Sequence, residues 1–259
     1  MNQALGELPH MLRRWWRLPA ALVLVVVIVT AMNYSKHDVV EAAPIRDAGS
    51  ERSVLLIGDS YTAGPTTPDL SYGCITADRL GWRCDVAAEG GTGYLNGGPG
   101  HRLPVIADSA PSTSIVERLP RLREMYHPDI IILDGGRNDL QFDMAHLCKT
   151  LTSTVTQVRA AWPAGRIVVI APWFLNEPVI RPSGTSGHTV GEVFRMALGS
   201  STDLAGVDVV DPGALGWFAD GDIAQFVSDD GIHPTGKGVE RIADLLTTAL
   251  VSDGIAGPS

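Results

Sequence analysis

Five short runs of aliphatic residues recur along this chain, Val54–Ile57, Cys84–Ala88, Ile130–Leu133, Ile167–Ile170 and Val207–Val210, each bounded by Gly, Pro or Asp. Val54-Leu55-Leu56-Ile57 is continuous and apolar, as expected for a strand buried on both faces of a parallel sheet, and the others are similar, with Asp85 and Asp208 as interruptions. Between them lie stretches with helical character at Ile75–Leu80, Ile115–Tyr126, Leu140–Ala161 and Val190–Leu198, with one more at Gly238–Val251. Strand and helix alternating in this way predict a doubly wound α/β domain, a three-layer α/β/α sandwich with a five-stranded parallel sheet covered on both faces. Two long loops, Glu89–Pro111 and Trp173–Gly187, leave the carboxyl ends of strands. Ligands of open α/β sheets sit there, so both loops read as pocket walls.

The N-terminus is of another kind. Leu18–Met32 is apolar except for Thr30, and it follows the run Arg13-Arg14-Trp15-Trp16-Arg17. Positive residues at one end of an apolar stretch stay on the cytoplasmic side of a membrane and Trp favours the interface, so the rest of the chain is expected outside the cytoplasm. The segment reads as a retained membrane helix, while cleavage after Ala42 or Ala43 would instead leave a secreted domain. The chain therefore divides into 1–34, a basic stub and anchor or signal segment; 35–52, a polar tether; and 53–259, the folded domain. Three arginines against Glu7 give the first 34 residues a local +2, so the overall −9 leaves the remainder at −11. A body this acidic, with no basic stripe, argues against nucleic acid as a partner.

An extracytoplasmic location permits disulfides, and Cys74 with Cys84 are the candidates, bracketing an expected helix and the start of a strand; Cys148 is left over. No Cys/His spacing suggests zinc, and no metal or other cofactor is expected.

Four stretches carry candidate chemistry. Gly58-Asp59-Ser60 follows the first strand directly, which puts a hydroxyl on the ligand side of the sheet. Asp230-Gly231-Ile232-His233 precedes the last helix and pairs a carboxylate with an imidazole; Asp229 is an alternative carboxylate. A serine hydroxyl becomes a useful nucleophile when an imidazole takes its proton and a carboxylate fixes the imidazole tautomer. Gly135-Gly136-Arg137-Asn138-Asp139 follows the third strand, and the Asn138 amide is suited to stabilise a developing oxyanion, although Asn138 or Asp139 would serve equally as a helix cap. Glu89-Gly90-Gly91-Thr92-Gly93-Tyr94 follows the second strand, where glycine lets backbone N–H groups approach a ligand. It lacks the spacing of a phosphate loop or a dinucleotide fingerprint.

In this order the motifs resemble those of SGNH hydrolases, the GDSL-type esterases and lipases, over roughly Ser53–Val251. The resemblance implies Ser60 as nucleophile, His233 as base and Asp230 as acid. It also implies the Ser60 amide, Gly91 and Asn138 as oxyanion donors, with Gly90 as an alternative to Gly91. The G-x-S-x-G elbow of α/β-hydrolases is missing around Ser60. The expected activity is ester hydrolysis on a small-molecule, lipid or glycan ester, with Tyr61 and Trp173, and Phe174 beside them, as candidate substrate contacts. A cell-envelope glycan O-acyltransferase or O-deacetylase would use the same residues. A silent glycan- or protein-binding module is the rival of another class, and oligomeric state is not legible.

Overall fold

The computed structural model describes residues 40–41, 51–65, 70–97, 113–219 and 223–256. The expected membrane helix at 18–32 lies outside the described residues; among those described, no helix is long and apolar enough to cross a membrane. The end of the loop expected at Glu89–Pro111 is likewise outside them from residue 98 onward.

All five expected strands are present, as β2 (Ser53–Gly58), β3 (Arg83–Ala88), β4 (Ile130–Asp134), β5 (Arg166–Ile170) and β6 (Asp208–Val210), and all are parallel. A sixth, β1 (Val40–Glu41), comes from the stretch expected to be only a tether and pairs antiparallel with β3, Val40 opposite Ala88 and Glu41 opposite Ala87. The sequence reading missed it because two residues carry no periodicity. Its physical use is plain, since β3 would otherwise present a row of unpaired backbone groups at the sheet edge.

The strand order β1-β3-β2-β4-β5-β6 puts the first parallel strand, β2, between the second and third. Crossovers therefore leave β2 and β4 in opposite directions, and a crevice opens beyond their carboxyl ends. Period-two alternation sends Val54, Leu56, Ile130, Ile132, Val168 and Ile170 to one face, and Leu55, Ile57, Ile131, Leu133, Ile167 and Val169 to the other. On the first face pack α2 (Tyr72–Arg79) and α6 (Gly236–Ser252), the latter through Val239, Ile242, Leu246 and Leu250. The second face is covered by α3 (Ile115–Met125), α4 (Met144–Ala161) and α5 (Val190–Gly199), through Leu119, Leu122, Leu151, Val155, Phe194 and Leu198. A single turn, α1 (Ser60–Ala63), follows β2.

Helix starts follow local chemistry. Glu117 and Glu192 each reach back three residues, to the backbone N–H groups of Ser114 (2.8 Å) and Thr189 (2.7 Å), and close capping boxes on α3 and α5. The helix expected from Leu140 begins instead at Met144, where the Asp143 carboxylate accepts from the His146 N–H at 3.0 Å. The preceding Arg137–Asp139 forms a separate 3-10 turn. Cys74 of α2 and Cys84 of β3 are joined in a disulfide with Cα atoms 5.3 Å apart, and Cys148 is free.

Candidate active site

The sharp exit from β2 depends on Gly58. A Cβ there would fall 1.9 Å from Thr62 Oγ1 and 2.7 Å from the Asp134 carbonyl, so no larger residue fits the turn. Asp59 then caps α1, its Oδ1 accepting from the Tyr61 N–H at 2.9 Å, and this leaves Ser60 as the first residue of the turn.

Opposite Ser60 stands a closed loop ahead of α6. Ser228 N–H donates to the His233 carbonyl (2.8 Å) and Thr235 N–H to that of Phe226 (2.8 Å), while Gly231 takes the left-handed φ of 73° that the tight turn needs. Within it one oxygen of Asp230 accepts from the N–H groups of Ile232 (2.8 Å) and His233 (2.9 Å) and lies 2.7 Å from Ser228 Oγ. The other is 2.6 Å from His233 Nδ1. The hydrogen bond from His233, then the backbone donors and Ser228, hold the Asp230 carboxyl well below the usual carboxylate range. On its far side His233 Nε2 is 2.8 Å from Ser60 Oγ. The Ser60 hydroxyl and the His233 imidazole, 173 residues apart in the chain, thus stand in series with a carboxylate, which is that of Asp230, not Asp229. Tyr61 O–H fastens the loop to α1 by donating to the Ile232 carbonyl at 2.6 Å.

The turn after β3 borders Ser60 from another side. A Cβ on Gly90 would stand 3.8 Å from Ser60 Cβ, so Gly90 lies against the turn that carries Ser60. Gly91 has φ 72°, which glycine tolerates and other residues resist. Its carbonyl accepts from Asn96 Nδ2 (2.7 Å), and the next carbonyl, that of Thr92, accepts from Asn138 Nδ2 (2.8 Å). Asn138 is therefore no helix cap but is tied to the glycine turn. Asp139 is not a cap either: its carboxylate is buried and accepts from the N–H groups of Tyr94 (2.7 Å), Leu95 (3.2 Å) and Asn96 (2.7 Å).

Beneath Ser60 lies a charged cluster that sequence reasoning missed. Arg137 is buried, and its Nη2 donates to Asp134 (2.7 Å), its Nη1 to Asp59 (3.2 Å) and its Nε to the Trp173 carbonyl (3.0 Å). Its guanidinium carbon sits 4.3 Å from the centre of the Tyr61 ring. Asp134 also accepts from Thr62 Oγ1 (2.7 Å) and from Tyr72 O–H. Burial pushes the Asp59 carboxyl up to about 6; Arg137 opposes that rise and the neighbouring Asp134 adds to it. Arg137 itself is held above its ordinary value because the two carboxylates outweigh the burial that alone would lower it. Charged residues at the end of an apolar strand, as in Leu133-Asp134-Gly135-Gly136-Arg137, were the available signal.

Tyr61 and Trp173 correct the sequence expectation of substrate contact. Each is 1% exposed, and their rings meet edge to face at 5.7 Å within the core. Their aromatic bulk fills the space between α1, the Arg137 cluster and the His233 loop, so they support the site from behind. Phe174, beside them, also packs on Tyr61 at 6.4 Å. Among the described residues, no cluster of His, Cys, Asp and Glu is placed to hold a metal ion. A groove of about 460 Å³ bordered by Cys148, Lys149 and Ser200 contains none of the residues around Ser60.

Several solved structures share this fold. An active-site mutant of a family two carbohydrate esterase from Clostridium thermocellum is 20% identical with a TM-score of 0.57, over 78% of this chain and 64% of that one. The chain thus spans under two thirds of that esterase. Est24, a carbohydrate acetylesterase from Sinorhizobium meliloti, is 18% identical with a TM-score of 0.54, over 78% and 99%. The psychrotrophic esterase EstA from Pseudoalteromonas sp. is 16% identical with a TM-score of 0.53, over 78% and 100%. No curated protein sequence matches. Residues 56–241, well over half of the chain, match the GDSL-like lipase/acylhydrolase family. The chain belongs to that family, within the SGNH hydrolases, as the order of its motifs led us to expect.

Proposed function

We propose that the chain hydrolyses acyl esters through an acyl-Ser60 intermediate, outside the cytoplasm, with 1–34 as a retained anchor and 53–259 as the hydrolase domain. The observation that carries the reaction is the series Ser60 Oγ, His233, Asp230, joined at 2.8 and 2.6 Å. His233 Nε2 takes the hydroxyl proton as Ser60 Oγ bonds to the ester carbonyl carbon, and the carbonyl electron pair moves onto oxygen. Asp230 stabilises the imidazolium so formed. The N–H groups of Ser60 and Gly91 and the side-chain amide of Asn138 receive the oxyanion, each fixed donor being worth about 2.7 to 4 kcal/mol. Collapse expels the alcohol, which takes its proton from His233. Water then enters by the same steps and releases the acid. As written, the reaction calls for no cofactor.

A glycan ester is the favoured substrate class within this reading. Supporting it, fold neighbours are named as carbohydrate esterases, and the His233 and Asp230 side chains are 42% and 49% exposed, open to a bulky alcohol. A sugar hydroxyl in place of water would turn the same steps into acyl transfer. The location outside the cytoplasm is supported by the disulfide Cys74–Cys84, a bond of oxidising compartments, and by the arginines ahead of the apolar stretch.

The test uses the full chain with p-nitrophenyl esters of increasing acyl length and with acetylated sugars, beside Ser60→Ala. Release of free acid by the parent and none by Ser60→Ala is the expected result. A Ser60→Ala protein that still hydrolyses at the parent rate refutes the reading. Labelling by a serine-directed fluorophosphonate separates an esterase from a silent binding module.

A further inference from the structure

A second buried guanidinium stands beside the nucleophile turn, and the reaction above does not use it. Arg118 of α3 is 3% exposed. Its Nη1 donates to the carbonyls of Gly58 (3.1 Å) and Ala87 (2.8 Å), and its Nη2 donates to Thr92 Oγ1 (3.1 Å). Carbonyls and a hydroxyl are its only hydrogen-bond partners among the described residues, and its buried Nε has none there. Arg137 sits between two carboxylates, whereas Arg118 directly contacts no negative group among these residues.

Such an arrangement is expensive. Desolvating a cation costs several kcal/mol, which neutral partners recover poorly, and an apolar side chain of similar volume would fill the site at lower cost. Burial lowers the Arg118 pKa to about 10, with Glu89 and Asp59 opposing the fall, so the group stays charged at neutral pH. A charge kept under these conditions is expected where its position is used.

Its three partners lie on three segments that meet at Ser60. Gly58 is two residues before the nucleophile, and its carbonyl also accepts from the Glu89 N–H at 3.1 Å. Ala87 belongs to the end of β3. Thr92 follows Gly91, its hydroxyl donates a hydrogen bond to the Glu89 carbonyl (2.7 Å), and its own carbonyl accepts from Asn138 Nδ2 (2.8 Å). One planar fork therefore spans the strand that delivers Ser60, the strand that delivers the glycine turn, and the residue that orients the Asn138 amide.

We propose that Arg118 is a positioning residue of the oxyanion niche: by gripping Gly58, Ala87 and Thr92 it sets the relative placement of the Ser60, Gly91 and Asn138 donors and adds fixed positive charge behind them. This rests on the ester-hydrolase reading. Donors preorganised toward charge that develops in the transition state act on the chemical step rather than on substrate capture, so the effect belongs in kcat.

Arg118→Met, Arg118→Lys and Thr92→Val are compared with the parent and with Ser60→Ala, all as full chains, for kcat, KM, rate of fluorophosphonate labelling and Tm. Arg118→Met is expected to lose about tenfold to a hundredfold in kcat with KM within about twofold, and to be labelled more slowly by a like factor. Arg118→Lys, which keeps the charge and loses the fork, falls between Arg118→Met and the parent. A merely structural Arg118 would lower Tm and leave the kcat of the folded enzyme unchanged. A folded Arg118→Met with kcat within twofold of the parent overturns the proposal. Should that variant fail to fold, Thr92→Val decides: it removes one grip without a charge change, and kcat equal to the parent's is again the refuting result. Hydrolysis surviving in Ser60→Ala would instead sink the underlying reading, whatever the Arg118 variants do. If the parent turns over none of the esters, the labelling rate at Ser60 carries the same comparison.

Discussion

Replacing Arg137 by Met keeps an unbranched stem, shortens the side chain by the guanidinium head and removes the charge between Asp59 and Asp134. Both ion pairs are buried, with side-chain exposures of 2% for Arg137, 1% for Asp59 and 0% for Asp134. Removing one partner of a buried pair costs roughly 3 to 5 kcal/mol, because the charge left behind is neither solvated nor paired. At roughly 2 to 4 °C per kcal/mol for a domain of 150 to 250 residues, Tm should fall by about 6 to 20 °C. The loss should depend on pH in a defined direction. The Asp59 carboxyl is raised from 3.8 to about 6, so the fold binds its proton more tightly than the unfolded chain does. That contribution is complete below the unfolded value and fades as pH rises through about 6. Arg137 opposes the rise, so in its absence the Asp59 carboxyl moves further up and the fading extends to higher pH. Calorimetry of parent and Arg137→Met should therefore give a larger Tm difference at pH 8 than at pH 5. Adding Asp134→Asn removes the carboxylate that repels Asp59 and should recover several degrees at pH 8. A deficit under about 3 °C, or one equal at the two pH values, would refute the account of the cluster.

Three further outcomes follow from the site. Asn138→Ala should lower kcat by about 10² to 10³ with little change in KM, measured on the best p-nitrophenyl ester; a fall shared equally with KM would argue against an oxyanion donor. Asp230→Asn presents an N–H to His233 Nδ1, which puts the ring proton on Nε2, where it can no longer accept from Ser60; kcat should drop by about 10⁴, and a loss under tenfold would speak against the series. Joint replacement of Cys74 and Cys84 by Ala opens a loop of sequence separation 10 and should cost about 2 to 3 kcal/mol, read as a lower midpoint in urea unfolding with kcat unchanged.

Much of this protein is written in short-range pattern. The apolar runs at Val54–Ile57 and Ile130–Leu133 are too short for helices and end at Gly58 and Asp134, so they read as strands covered on both sides, and the helices between them left parallel pairing as the outcome. The stretches that bear Ser60, Asn138, Asp230 and His233 could be singled out for a related reason: residues at strand ends and in glycine turns keep their spacing from the element that carries them, while their proposed roles came from the order of the motifs. What pattern could not supply was contact between distant stretches. Whether Tyr61 and Trp173 faced ligand or core depended on how the Arg137 cluster and the His233 loop closed over them. The function of Asp139 as an anchor for Tyr94–Asn96, the buried charges of Arg118 and Arg137, and the short strand Val40–Glu41 were likewise decided by tertiary structure. A hydrogen bond between residues forty or eighty positions apart leaves no periodicity in the chain, and the cost or benefit of a charge is undefined until the surrounding atoms fix what solvates it.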